Sequence, residues 1–297
     1  MDAGMTYTIT GYSTALFSTW YFVDELGLLL DAGDGIASTL MQKSRKASHV
    51  FISHPDRDHL TGLFQFNQLN AREGLPLIYY PKDSSSFPAL RDFTARFDPH
   101  VSGTQWLPIR EGERISIRDG IEVEAIRNGH VEAPAGITKS LSFKVQQVRT
   151  KLRPDLVGLP GDEIRKIIQE QGKDKTTTEV RSTMIGYSAD SPVEDLERWN
   201  HCQVLIHEAT FLGGTEDAKL LAHGHKHSQL EEVMEMVSGL EIGTLVLGHF
   251  SSRYSPEQID QKIRSLCEQY AINIPVRRLL PGEVVRDILK QPAINNK

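Results

Sequence analysis

Four side chains that commonly bind metal ions lie within six positions of the sequence, in the stretch ISHPDRDHLTGL (52–63). They are His54, Asp56, Asp58 and His59. In an extended chain residues 54, 56 and 58 point the same way, and the bend that follows would turn His59 toward them. Without a cation the two carboxylates would repel each other, and burying them would cost further free energy. The stretch therefore predicts a metal site, with a solvated loop as the alternative.

The flanking residues predict that this stretch follows a buried strand and precedes a helix. HVFIS (49–53) is a short apolar run rich in β-branched residues, and 61–71 carries apolar residues at helical spacing. Later apolar runs, such as 202–210 and 244–250, also end in polar residues. Functional side chains commonly lie at strand ends, because loops there are free of ladder constraints. The polar residues that we expect at such segment ends are His130, Asp190, His207, Glu208 and His249.

The whole chain reads as alternating short strands and helices without an internal repeat or a flexible linker. It predicts one domain over 1–297, with halves of about 1–145 and 183–297 joined by a surface segment at 149–182 that carries one short helix near 161–170. Further strands are expected at 7–12, 21–24, 28–31, 75–80, 113–117, 121–126, 141–145 and 182–188, and further helices at 36–46, 193–199, 228–238 and 256–269.

Composition excludes several classes of protein. The net charge of −6 argues against broad, nonspecific binding to nucleic acid, which depends on a dense field of Lys and Arg. Cys202 and Cys267 are too few and too far apart for a Cys-rich zinc finger or a disulfide framework, so a metal must bind His and carboxylate. No apolar run approaches the roughly 18 residues that span a membrane, and the start resembles no secretion signal. We therefore expect a cytoplasmic protein that does not enter a membrane.

The metal-site stretch resembles the His-x-His-x-Asp-His signature of the metallo-β-lactamase superfamily. Further stretches resemble, in family order, the motifs of one branch, the ribonuclease Z-like phosphodiesterases. This resemblance implies an α/β fold, an αββα sandwich of two mixed sheets flanked by helices. The stretches that carry it are LLLDAGDG (28–35), IGYSAD (185–190), VLIHEATF (204–211), HKHSQLEEV (225–233) and LVLGHFSSRY (245–254).

Carried over residue by residue, the resemblance implies a centre of two divalent metal ions, for which zinc is the family's usual metal. Its three ligand groups would be His54, Asp56 and His130 for the first ion, Asp58, His59 and His249 for the second, and Asp190 as the bridge between them.

The sequence departs from the family at two places. Asp56 stands where the family has His, which lowers the net charge of the site and favours harder ions such as Mn²⁺ or Fe²⁺. A His-x-Asp-x-Asp-His form is similar to that in metallo domains of DNA-uptake competence proteins, so the exchange is compatible with hydrolysis. GYSAD (186–190) replaces the usual Gly-Asp-Thr context, and the assignment of Asp190 as the bridge depends on that alignment.

Three residues are predicted to act in catalysis. Asp58 would orient the attacking hydroxide, while Glu208 and His227 match a family pair that protonates the leaving oxygen. The alternative is that Glu208 and His227 make a structural hydrogen bond. His223 and His225 are expected to be loop residues beside the site, and His207 to pack in the core.

These residues predict a metal-dependent hydrolase that attacks a phosphodiester with a metal-activated hydroxide. The resemblance favours tRNA 3′-end processing, with precursor tRNA as a partner and a homodimer as a form common in the branch. Against it, the residues between 145 and 182 are too few for the long arm with which many members grip tRNA. The alternatives are a small-molecule phosphodiesterase, such as one for cyclic nucleotides, and a non-hydrolytic di-metal protein.

Overall fold

The computed structural model describes residues 7–213 and 226–296 as two mixed β-sheets with helices against their outer faces. This is the αββα sandwich that the sequence predicts. The first sheet has the strand order β1-β2-β3-β4-β5-β6, with an antiparallel meander over β1–β3 and parallel pairs from β3 to β6. Its strands are β1 (Ile9–Thr14), β2 (Ser18–Val23), β3 (Leu28–Leu30), β4 (His49–Phe51), β5 (Leu77–Pro81) and β6 (Gln105–Ile109).

The second sheet has the order β13-β12-β11-β10-β9-β8-β7. The strands from β10 to β13 pair in parallel, whereas those from β7 to β10 pair antiparallel. Its strands are β7 (Arg114–Arg118), β8 (Ile121–Arg127), β9 (Leu141–Leu152), β10 (Thr177–Tyr187), β11 (Val204–Glu208), β12 (Thr244–Gly248) and β13 (Val276–Arg278).

Three apolar clusters fill the spaces between the layers. The central cluster joins the inner faces of the two sheets, with Phe51 of the first sheet packed edge-on against Phe143 of the second. The outer face of the first sheet packs against α1 (Ile36–Leu40), α3 (Leu63–Asn70) and α4 (Ser86–Thr94). The outer face of the second packs against α7 (Leu230–Ser238) and α8 (Pro256–Gln269). Helices bury their apolar stripes on both outer faces, which leaves the strand ends free to carry a site.

Local sequence explains where α8 begins. Ser255 caps the helix, since its hydroxyl accepts from the Gln258 backbone amide while the Ser255 backbone amide donates to Gln258 Oε1. Pro256 occupies the first turn, where its missing N–H costs nothing. The helix predicted at 256–269 is confirmed, as is the one predicted at 228–238.

One helix prediction is wrong. Residues 193–199 form turns, held by single bonds such as the one from the Arg198 amide to the Asp195 carbonyl. Trp199, at the end of this stretch, is buried against β10, so its packing favours a compact turn over a continuous helix.

The segment 149–182 lies largely at the surface, as predicted, but it is more regular than the sequence indicated. The strands β9 and β10 continue into this segment. Beyond the edge of the sheet, residues 149–152 pair only with residues 177–180 in the described part of the chain. At the far end lie α5 (Gly161–Gln171) and the short α6 (Lys173–Thr176). We call residues 149–180 the hairpin extension. A projecting element is thus present where the sequence left no room for a long arm.

Candidate metal centre

The predicted ligands of both sheets meet at the carboxyl-terminal ends of their strands. The loop after β4 carries His54 and Asp56, and α2 (Arg57–Leu60) directly follows it. His130, Asp190 and His249 follow β8, β10 and β12 of the second sheet. The expectation that 54, 56 and 58 share one extended segment is wrong for Asp58, which lies in the first turn of α2. The helical turn nevertheless brings both Asp58 and His59 to the centre.

Four buried side chains form the inner half of the centre, with ligand atoms that all lie within 4.8 Å of one another: Asp58, His59, Asp190 and His249. His249 Nε2 lies 3.2 Å from Asp190 Oδ1 and 3.4 Å from Asp58 Oδ2. His59 Nε2 lies 3.3 Å from Asp190 Oδ2. Asp190 therefore contacts an imidazole from each sheet.

The outer half consists of His54, Asp56 and His130. Asp56 Oδ2 lies 3.6 Å from His54 Nε2 and 3.4 Å from His130 Nε2. The two halves share Asp190, whose Oδ2 is 3.8 Å from His54 Nε2. The Asp56 side chain is 56% exposed, whereas that of Asp58 is 10% exposed. The outer half is thus the one that opens to solvent.

The hydrogen bonds around the four imidazoles fix their tautomers. His59 Nδ1 lies 2.7 Å from a carboxylate oxygen of Asp31 and His130 Nδ1 lies 3.0 Å from the Lys226 carbonyl, so both nitrogens must donate. His54 Nδ1 is 2.9 Å from Ser53 Oγ, which already gives its own proton to Asp31.

His249 follows the same rule, because its Nδ1 is 2.8 Å from Thr210 Oγ1 and that hydroxyl donates to Glu208. With Nδ1 protonated in each neutral ring, the Nε2 lone pairs of all four rings face the centre, as in metal sites whose ligands are oriented by outer partners.

Two of these inward nitrogens have no hydrogen-bond partner within the described ranges, namely Nε2 of His54 and Nε2 of His59. Both atoms are buried, and an unpartnered buried polar atom costs about 1–3 kcal/mol. A divalent cation would satisfy them, and imidazole with carboxylate is a donor set that suits zinc as well as harder ions. The residues present therefore fit a metal centre.

The electrostatics of the inner half favour a bound cation. Burial disfavours the charged imidazole of His59, yet the negative charges of Asp190 and Asp31 outweigh it and hold its pKa well above the ordinary value. Burial likewise opposes ionisation of Asp190, but the neighbouring His249 and His59 keep its pKa well below the usual range. A proton or a metal ion would be attracted by the same field, and the two compete for the imidazoles.

Glu208 and His227 form a pair beside the centre. Glu208 Oε1 lies 3.1 Å from His227 Nδ1, and the carboxylate is buried. Burial lowers the pKa of His227, but the charge of Glu208 and this hydrogen bond outweigh it and raise the pKa to about 9. The His227 side chain is 25% exposed, so its other nitrogen can meet a substrate. His207 packs in the core, with Nδ1 bonded to the Glu208 carbonyl, while His223 and His225 lie outside the described residues.

Sequence reasoning missed the residues that orient the ligands. Asp31 is fully buried and accepts from His59, from the amide and hydroxyl of Ser53, and from the Tyr187 hydroxyl at 2.5 Å. Thr210 braces His249. The available signal was a charged residue directly after the all-leucine strand β3, which must find partners when it is buried.

A cavity of about 450 Å³ opens beside the cluster. It shares Asp56, Asp58, Asp190, His227 and His249 with the centre, and its remaining walls carry both apolar and cationic side chains. The other lining residues are Ala15, Leu16, Thr210, Phe211, Lys226, Ser251 and Arg253.

Comparison with known proteins gives concordant matches. A family model described as a beta-lactamase superfamily domain matches residues 28–250. Ribonuclease Z of Pyrococcus horikoshii is 30% identical over 275 residues, which cover 82% of this chain and 83% of that protein. The chloroplastic tRNase Z TRZ2 of Arabidopsis thaliana is 28% identical over 271 residues, which cover 88% of this chain and 72% of that protein. The metallo-beta-lactamase fold protein YhfI from Bacillus subtilis superposes with a TM-score of 0.63 at 15% identity, covering 94% of this chain and 99% of that one.

Proposed function

The chain belongs to the metallo-β-lactamase superfamily, in its ribonuclease Z-like branch, and we propose that this metal-dependent hydrolase is a phosphodiesterase that processes the 3′ end of precursor tRNA. One observation carries the phosphodiesterase chemistry. It is the convergence of four inward Nε2 atoms on three carboxylates, with His227, which is bonded to the buried Glu208, lining the same cavity.

We assign the metal ligands as the family resemblance implies. One ion would be held by His54, Asp56 and His130, the other by Asp58, His59 and His249, with Asp190 between them. Bound divalent ions would act as Lewis acids, polarising a phosphoryl oxygen and neutralising charge as it develops. Zinc is the metal we propose for the inner half, and Asp56 makes the outer half suitable for Mn²⁺ or Fe²⁺ as well.

Different side chains of this protein act on the attacking water and on the departing oxygen. Asp58 takes part in orienting the attacking water, because its carboxylate lies at the cavity wall beside His249. His227 donates a proton to the departing oxygen, held in place and in its charged form by Glu208. Thr210 contacts the rings of both His227 and His249, which fixes the donor relative to the centre.

Transfer RNA as substrate is supported by two features. The matched relatives from Pyrococcus and Arabidopsis are named ribonuclease Z and tRNase Z. The hairpin extension projects from the second sheet and carries several exposed cationic side chains, among them Arg149, Lys151 and Arg165. The extension holds seven Lys and Arg against six Asp and Glu, in a chain whose overall charge is −6. Its cationic side chains suit backbone contacts with RNA at a distance from the reaction.

The test combines a metal count with cleavage of precursor tRNA that bears a 3′ trailer. We expect two equivalents of metal by elemental analysis and release of the trailer, and we expect an Asp190→Ala variant to lose metal and cleavage together. Leu196→Asn, an exposed change in the 193–199 turns, serves as the control. Intact precursor tRNA after incubation with the two-metal protein would refute the tRNA assignment.

A small-molecule phosphodiesterase is the second candidate. The cavity of about 450 Å³ is favourable for it, because this volume accommodates a nucleotide without any contact from the hairpin extension. Turnover of cyclic or aryl diesters by a protein that leaves precursor tRNA intact would select this function. Iron in the centre with no hydrolysis of either substrate would instead indicate a non-hydrolytic di-metal protein.

We also propose a homodimer in the cytoplasm. Phe64, Phe93 and Phe97 form an exposed cluster of three rings, with centroids 4.9 to 6.1 Å apart, and exposed apolar patches of this kind mark interaction sites.

The thiols of Cys202 and Cys267 are buried and unpaired, which suits a reducing compartment such as the cytoplasm. No described helix is long and apolar enough to cross a membrane. Sedimentation of the wild type against Phe93→Ser tests the dimer, since a monomeric wild type would exclude it.

A further inference from the structure

The turn between β1 and β2 reaches the metal centre through its backbone. The Leu16 amide donates to Asp58 Oδ2 at 3.0 Å, so the turn is fixed to a residue that we assign as a metal ligand. Its two apolar side chains are exposed. Leu16 is 89% exposed and Phe17 is 61% exposed, and Leu16 lines the cavity beside the centre.

Neither the backbone conformation of Leu16 nor the exposure of the Leu16 and Phe17 side chains stabilises the fold. Leu16 has a φ of 69°, in the left-handed region that favours glycine and asparagine and that costs other residues about 1–2 kcal/mol. The two large apolar side chains lie mostly in solvent and contribute little burial. Strained residues cluster at sites of function, where the surroundings hold them in place. Here the bond to Asp58 is such a restraint.

We propose that Leu16 and Phe17 form a contact surface for the nucleoside next to the scissile phosphate, so that the substrate is a nucleotidyl diester in preference to a simple alkyl diester. The inference rests on the proposed phosphodiesterase function. Because the Leu16 amide holds Asp58, a base that packs on the Leu16 side chain lies directly beside the reacting phosphate.

Another wall of the same cavity is suited to a nucleotide as well. Phe211 lines it, and the Arg253 guanidinium lies 5.4 Å from the centroid of that ring. An aromatic face stacked with a guanidinium is a common platform for bases and phosphates, and Lys226 adds a second cation at the cavity. The cavity therefore offers apolar, stacking and cationic contacts, which together match a nucleotide.

The test compares two substrates that release the same leaving group, thymidine 5′-(p-nitrophenyl phosphate) and methyl p-nitrophenyl phosphate. In the wild type we expect a lower KM for the thymidine diester. Leu16→Asn introduces a residue that tolerates positive φ and keeps the backbone bond to Asp58, and Phe17→Ser removes the neighbouring ring. Each variant should raise the KM for the thymidine diester about tenfold, in line with the loss of one base contact. The KM ratio between the two substrates should then approach one.

Leu196→Asn is the matched control, because it makes the same exchange at an exposed leucine that does not line the cavity in the described part of the chain. It should leave both KM values unchanged. The melting temperature of Leu16→Asn should not fall, since the variant relieves backbone strain, whereas a merely structural leucine would destabilise the protein when replaced.

Binding of thymidine 5′-monophosphate to the metal-loaded protein, measured by calorimetry, separates this inference from the proposed function. If the wild type hydrolyses neither diester, the phosphodiesterase assignment fails, but weaker binding of the nucleotide to Leu16→Asn would still support the contact surface. An unchanged KM ratio together with unchanged nucleotide affinity in Leu16→Asn and Phe17→Ser would overturn the inference. So would an equal loss on both substrates, because that would place the defect in the metal centre.

Discussion

Asp56 makes the two halves of the metal centre chemically alike. Each half has two imidazoles, one carboxylate of its own and a share of Asp190, and the halves differ chiefly in how far Asp56 is exposed. An anionic oxygen ligand favours harder cations than an imidazole does. We therefore predict that Asp56→His raises the fraction of zinc relative to manganese and iron. Elemental analysis after exposure to equimolar metals checks this, and an unchanged metal composition would contradict it.

His227 is the residue whose role depends most on the leaving group. Because we assign His227 as the donor of a proton to the departing oxygen, we expect His227→Ala to slow hydrolysis of a poor leaving group, such as an alkoxide, by about 10²-fold or more. The loss on bis(p-nitrophenyl) phosphate should be much smaller, because p-nitrophenolate departs without a proton. Steady-state rates on the two substrates test this, with His201→Ala as an exposed control. Equal losses on both would refute the proton-donor role.

Asp31 orients two ligands at once, His59 directly and His54 through Ser53. Outer partners of this kind typically contribute 10-fold to 100-fold to metal affinity. We predict a loss of that size for Asp31→Asn, whose amide cannot accept all of these bonds, measured by competition with a metal-binding dye. Tyr187→Phe removes one bond to Asp31 and leaves the imidazole contacts, so it is the matched control with a smaller loss. Equal affinity in Asp31→Asn and the wild type would exclude the orienting role.

Among the elements, the hairpin extension is the one that separates the two candidate substrates. It lies beyond the sheet, and its residues make no part of the described metal cluster. Replacing 153–176 by a short turn should therefore leave hydrolysis of bis(p-nitrophenyl) phosphate within about twofold of the wild type. Cleavage of precursor tRNA should fall at least about tenfold, because backbone contacts with RNA are lost. Undiminished tRNA cleavage by this deletion variant would show that the extension does not bind substrate.

The same elements show how far sequence reasoning reaches. Apolar runs that end in polar residues located β4, β11 and β12 and with them the neighbourhood of His54, Glu208 and His249. Strands with weaker patterns, such as β6 and β13, were not predicted, because their pairing depends on neighbours distant in sequence. Asp58 lies in the predicted cluster, but the reason given for it was incorrect, since α2 and not an extended chain presents it. Outer partners such as Asp31 become visible only when the sheets are assembled.

At the scale of the whole molecule, the metal centre joins the two sheets. His54, Asp56, Asp58 and His59 follow strands of the first sheet, whereas His130, Asp190 and His249 follow strands of the second, so side chains from both sheets meet in the cluster that we propose binds the ions. A cation that binds only the folded state stabilises it by about 2.7 kcal/mol at a free concentration of 100 times its Kd. Removal of metal by a chelator should therefore lower the melting temperature by about 5–10 °C.

Thermal unfolding with and without chelator measures this, and restored zinc should restore the transition. Asp190→Ala provides the control, because it removes the carboxylate that contacts both halves of the centre. Its melting temperature should respond little to chelator or to zinc. The opposite pattern, a wild type indifferent to chelator, would mean that the contacts between the inner faces of the two sheets, such as Phe51 with Phe143, hold them together without help from the ions.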